Sequence, residues 1–293
     1  MDDRSTHAPR ETELVPLMRG MLWLGALLVT LAGIQLYFFS TRTDHLFAWT
    51  IDVPLTAAFL GAFYWTSLFL AVQSAIQTRW AMARVGLVGV QVFLWLTLLA
   101  TLLHLDKFHL SADDSFARGA AWLWLFIYIV DPPLLTYAYI RQMRQRLADP
   151  PRRYATPPWF RASLALQAAV TIGIGAALFV APDHTSSVWP WALTPLTARA
   201  VASWLLGLGL VLVWAVREND WVRLRPATIS YTVLCLFQLI ALLRFRSTLE
   251  PGVGAWLYVA FVISVGALGL VGVAAAGRRS GAARGRRPRD ASV

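Results

Sequence analysis

Asp131 is the residue on which chemistry in this chain would rest. It stands inside a long apolar run, 120–140, and Pro132 and Pro133 follow it. A carboxyl group in such a run is costly, and a group retained at that cost marks a binding or proton-handling position by default. Neither proline has a backbone N–H, so the carbonyls of Tyr128 and Ile129 lose their helical partners and a kink is expected. Trp124, Tyr128 and Asp131 lie four and three residues apart, which puts them on one helix face. The structural alternative is an acid that donates to a freed carbonyl. Tyr128 is the nearest polar neighbour, and no second group is spaced to share acid–base work with Asp131, so an enzyme is the less favoured reading.

Arg199 is the second candidate, one turn inside the outer end of the run 196–216. It can snorkel to lipid headgroups, or it can clamp an anion or carboxylate in a cavity open to that side. The histidines do not suggest a metal. His104 and His109 are five residues apart, and no HExxH or His-x3-His pattern occurs. Asp44-His45 and Asp183-His184 read as solvated loop pairs. The single cysteine, Cys235, excludes a disulfide framework and a multi-cysteine metal site. Phosphate-binding loops, the nucleophile elbow and the dinucleotide fingerprint are missing from the sequence. Neither a metal nor a cofactor is expected.

The elements that must position these residues follow from composition. Of the 293 residues, 57% are apolar and only 14% charged, and the mean hydropathy is +0.55. That leaves too little polar surface for a soluble globule and too much apolar surface for disorder. Eight apolar runs are long enough, or nearly so, to cross a bilayer: 20–40, 53–77, 85–105, 120–140, 162–181, 196–216, 226–243 and 255–277. Barrel strands would be shorter and would alternate apolar with polar. The first run exceeds a signal-peptide core, and Phe38-Phe39-Ser40-Thr41 offers no cleavage site, so it is expected to be retained. The expected fold class is an all-α integral membrane protein with eight transmembrane helices.

Orientation comes from Lys and Arg. The segments 1–19, 78–84, 141–161, 217–225 and 278–293 carry 20 of them, and the alternate loops carry 6. Both termini are therefore expected on the cytoplasmic side of the cell membrane. The same distribution accounts for the net charge of +10 without nucleic acid as a partner. Membrane lipids are the expected partners of the spans, while the basic tail reads first as a topology signal in a disordered setting, with attraction to anionic lipid as its functional alternative. Seven tryptophans, Trp49 and Trp221 among them, fall near expected interfaces and read as an aromatic belt.

An offset of 141 residues superposes the chain on itself. Pro54-Leu55-Thr56-Ala57 falls on Pro195-Leu196-Thr197-Ala198, and Trp80-x3-Arg84 on Trp221-x3-Arg225. A shorter offset pairs Trp122-Leu123 with Trp256-Leu257 and puts Ser264-Val265 opposite Asp131. Two parallel-related four-helix repeats are expected, because an even number of spans returns the chain to the same side. Pro54 and Pro195 suit a first helical turn. Thr56 and Thr197 can cap amides, Trp80 and Trp221 suit the inner interface, and Arg84 and Arg225 can anchor the following helix. The organisation is then a segment 1–19, a repeat 20–140, an Arg/Pro-rich linker 141–161, a repeat 162–277 and a basic tail 278–293. Gly173-x-Gly175, Gly207-x-Gly209 and Gly266-x2-Gly269-x2-Gly272 suggest close helix approach. The expected function is binding or transport of a small molecule or lipid in a cavity near Asp131. The alternative is a non-catalytic scaffold or subunit with a membrane-protein partner.

Overall fold

The computed structural model describes residues 12–145, 148–185 and 189–285, and side chains as far as Arg279. Most of the expected N-terminal segment and the end of the basic tail lie outside these residues. Among the described residues, eight helices are long and apolar enough to cross a membrane, which fits a multi-pass membrane protein. They are α1 (Pro16–Gly33, continued by a wider turn Ile34–Phe38), α2 (Pro54–Ala75), α3 (Leu87–Leu103), α4 (Ser115–Met143), α5 (Pro158–Val180), α6 (Pro195–Glu218), α7 (Arg225–Arg244) and α8 (Val253–Gly285). The short turns Trp80–Ala83 and Arg84–Gly86 lead into α3.

Local chemistry sets the helix starts. Proline opens α1, α2, α5 and α6, where a missing N–H has no consequence. Asp114 begins α4 by accepting from the amides of Phe116 and Ala117 at 2.8 and 3.3 Å. Thr194 and Thr197 form a reciprocal cap on α6. Compared with the apolar runs, α4 begins five residues earlier behind its Asp114 cap, and α5 four residues earlier, at Pro158.

α1 packs on α2, and α5 on α6; α3 packs on α4, and α7 on α8. Two further pairings cross the molecule, α2 with α7 and α3 with α6, while α2 and α6 meet at the centre. There the Phe63 and Trp204 rings stack with centroids 5.2 Å apart. α3 and α6 cross at Gly89 and Gly207, where a Cβ on Gly207 would stand 2.9 Å from the Gly89 carbonyl oxygen. Only glycine permits backbones so close.

α4 runs helical through Pro132 and Pro133 without a break. Neighbouring groups meet the helix at this point: Gln91 of α3 donates to the Pro132 carbonyl at 3.1 Å and also reaches the Thr136 hydroxyl, which itself donates to the Pro132 carbonyl at 2.7 Å. These contacts serve the Pro132 carbonyl, whereas the carbonyls that the two prolines leave without helical partners are those of Tyr128 and Ile129.

Candidate functional site

Trp124, Tyr128 and Asp131 do share one face of α4, and that face lines a cavity of about 120 Å³ bounded by α1 to α4 and by Trp204 of α6. Tyr128 is buried and its hydroxyl lies 2.8 Å from that of Tyr64 on α2. The Trp124 and Tyr128 rings stand 4.4 Å apart. Asp131 is half-buried on the cavity wall.

Arg199 does not line that cavity. Its Nε donates to the Phe179 carbonyl at 3.1 Å, and its Nη1 lies 2.7 Å from His104 Nε2. The first contact caps the C-terminal end of α5, where a cation is favoured. Arg244 does the equivalent for α1, donating to the Tyr37 and Phe38 carbonyls at 2.7 and 3.3 Å. For His104, just beyond α3, burial and then the neighbouring Arg199 charge push the imidazole below its ordinary value. A neutral ring accepts the guanidinium N–H.

A larger cavity, of about 720 Å³, lies in the second half between α5 and α8, with α2, α6 and α7 behind it. It falls within the range typical of small-molecule sites. On α8 its wall runs from Gly254 to Val265, a depth of about 16 Å at the helical rise. Val170 and Ile174 of α5 and Leu257 of α8 line it, yet are 40%, 42% and 65% exposed on the outer face of the bundle. The mouth therefore opens sideways, between α5 and α8. Polar groups are few, and the buried Trp189 indole N–H has no hydrogen-bond partner among the described residues. Ser264 accepts from Gln167 at 2.7 Å and donates to the Phe261 carbonyl. Gln238 donates to the Phe59 carbonyl and accepts from Tyr258. Gly173 faces open space, whereas a Cβ on Gly175 would meet Leu206 at 2.9 Å. The expected close approach thus holds for only one of that glycine pair.

The repeat residues divide in role. Pro54 and Pro195 start their helices. Thr197 caps α6, but Thr56 accepts from the Trp191 indole at 2.8 Å and so joins the two halves. Trp80 and Trp221 are buried, against Tyr139 and Phe160, instead of lying at the lipid interface as expected. Their surroundings explain this, because the chain ahead of α1 and of α5 folds over them: Trp80 N–H donates to the Thr12 carbonyl and Trp221 N–H to the Tyr154 carbonyl. Arg225 is exposed, whereas Arg84 is drawn into an ion cluster with Glu218.

That cluster escaped the sequence reading. Glu218, 2% exposed, bonds Arg84 at 2.5 Å and Arg223 at 2.9 Å, and accepts from the Trp214 indole at 3.1 Å. Asp149 of the linker binds Arg84 at 2.6 Å. Asp220 accepts from the amides of Val222, Arg153 and Tyr154. Asn219 sits between them in the left-handed region at φ 43°, a conformation asparagine tolerates. The signal was available in Glu218-Asn219-Asp220, two acids within an inner segment otherwise dominated by arginine.

No protein-family model, curated protein or solved structure matches this chain.

Proposed function

We propose that this membrane protein binds a long apolar molecule of the lipid class in the cavity between α5 and α8. The carrying observation is the sideways mouth, with Val170, Ile174 and Leu257 belonging both to the cavity wall and to the exposed face. A void of this size has no partner atoms for its lining, so apolar chains from the bilayer gain contacts by filling it. Its Ser264 and Gln238 side chains are already hydrogen-bonded, which favours holding a ligand over reacting with it. Asp131 and Tyr128 remain a second, smaller site in the first half, and Arg199 serves as an outer strut.

The internal repeat underlies this proposal. Exchanging the halves maps α1–α2 onto α5–α6, α3–α4 onto α7–α8, and α2–α7 onto α6–α3. Phe47, Trp49 and Trp124 cluster in one half, as Trp189, Trp191 and Tyr258 do in the other. The two cavities then correspond, with Val265 where the first half carries Asp131. The first is narrowed by contact between α1 and α4, whereas α5 and α8 approach less closely and are bridged by the Gln167–Ser264 hydrogen bond. Both termini are assigned to the cytoplasmic side of the cell membrane on the distribution of Lys and Arg.

Native mass spectrometry of protein purified with its lipids tests the binding. A reproducible adduct of lipid mass is expected, lost in Gly173→Leu, whose side chain grows into open space. An unchanged adduct in that variant would sink the proposal. A ligand-free chain in fixed stoichiometry with another protein would favour the scaffold role instead.

A further inference from the structure

The first-half cavity has a chemistry of its own. Five aromatic rings, Tyr64, Phe93, Trp124, Tyr128 and Trp204, line it together with Asp131. The rings form a continuous wall: centroids are 3.7 Å apart for Phe93–Trp204, 4.9 Å for Tyr64–Trp204 and 4.4 Å for Trp124–Tyr128. None of the described residues lining the cavity is Lys, Arg or His. Arg199, the membrane arginine nearest in expectation, is committed to His104 and the Phe179 carbonyl. A carboxylate at this depth is expensive without a positive partner, and the protein supplies none from the cavity wall.

We propose that the missing partner is a ligand, and that this cavity binds a small protonated amine. The ammonium group would pair with Asp131, and the carbons beside it would lie against the rings, whose faces attract cations. A monatomic metal ion fits less well. It needs about six or more oxygen ligands, whereas this wall is chiefly rings and aliphatic carbons, and the Tyr64 and Tyr128 hydroxyls bond each other. Size limits the ligand further. A cavity of about 150 Å³ accepts benzene, so one of about 120 Å³ accepts roughly five non-hydrogen atoms.

The test compares n-butylammonium with n-butanol, which has the same number of non-hydrogen atoms and no charge. Both are titrated into the full chain in lipid nanodiscs, with tryptophan fluorescence and thermal stability as readouts. Butylammonium is expected to bind saturably and at least tenfold more tightly than butanol. Asp131→Asn should abolish that preference while leaving the melting temperature of the ligand-free protein close to the parent's. Gly25→Leu, which fills the cavity from a position where a Cβ meets nothing within 4 Å, should abolish saturable binding. Gly173→Leu should leave amine binding intact, so this site stands or falls apart from the α5–α8 cavity. Equal affinity for butanol, a preference retained in Asp131→Asn, or the same saturable response to sodium chloride alone would each overturn the assignment.

Discussion

His104 shows how a single side chain couples elements. It accepts from Arg199 only while neutral, and burial beside that cation favours the neutral ring. A histidine whose pKa is lowered by folding adds stability above its ordinary pKa near 6.5, and that stability is lost as pH falls toward the depressed value. The melting temperature should therefore drop between pH 7.5 and pH 5, and drop less in His104→Gln. Equal drops in the two proteins would exclude this coupling. His45 works in the opposite sense: its bond to Asp114 raises its pKa, so that contact is present at low pH and released as pH rises. For this reason the comparison with His104→Gln, rather than the raw pH profile, isolates His104. At this scale the sequence was partly legible. Trp124, Tyr128 and Asp131 fell on one face because helical spacing is local. The partners of Arg199 did not, because His104 lies 95 residues away and only the packed bundle brings it near.

Among the elements, the helices were nearly all readable, since length and hydropathy are properties of the chain itself. The spaces between helices were not. Gly173 and Gly207 look alike in sequence, yet Gly207 abuts the Gly89 backbone while Gly173 faces a void. Gly207→Ala should force α3 and α6 apart and lower stability by about 1–3 kcal/mol, measured by thermal unfolding in bicelles. Gly173→Ala should have little effect on stability. A Gly207→Ala protein as stable as its parent would mean that the α3–α6 crossing yields without cost. α4 stays helical through Pro132-Pro133, and Gln91, which the sequence of α4 alone could not supply, arrives from α3 to bond the Pro132 carbonyl.

At the scale of the whole molecule, the halves are fastened at both faces. Arg84 reaches Glu218 at one end of the bundle, and Trp191 reaches Thr56 at the other. The linker residue Asp149 thereby joins the face that holds Arg84 and Glu218. An impermeant thiol reagent applied to intact cells, on a Cys235→Ala background, should label a cysteine at Asp113 and spare one at Ala148. The reverse pattern would invert the assigned topology. Polar landmarks in the sequence suggest the proposed repeat, whereas the different spacing of its two halves left no mark there. The close approach of α1 and α4, set against the wider spacing of α5 and α8, depends on small differences in helix placement that no residue pattern records.

The sideways mouth between α5 and α8 also changes what affinity means for this protein. A ligand arriving from the bilayer is present at a mole fraction in lipid, not at a concentration in water, and the surrounding lipids compete for the same berth. Occupancy should follow the ratio of ligand to lipid and be indifferent to the volume of buffer. Adding plain vesicles would then strip the site, much as dilution strips a soluble receptor, by giving the ligand more membrane in which to disperse.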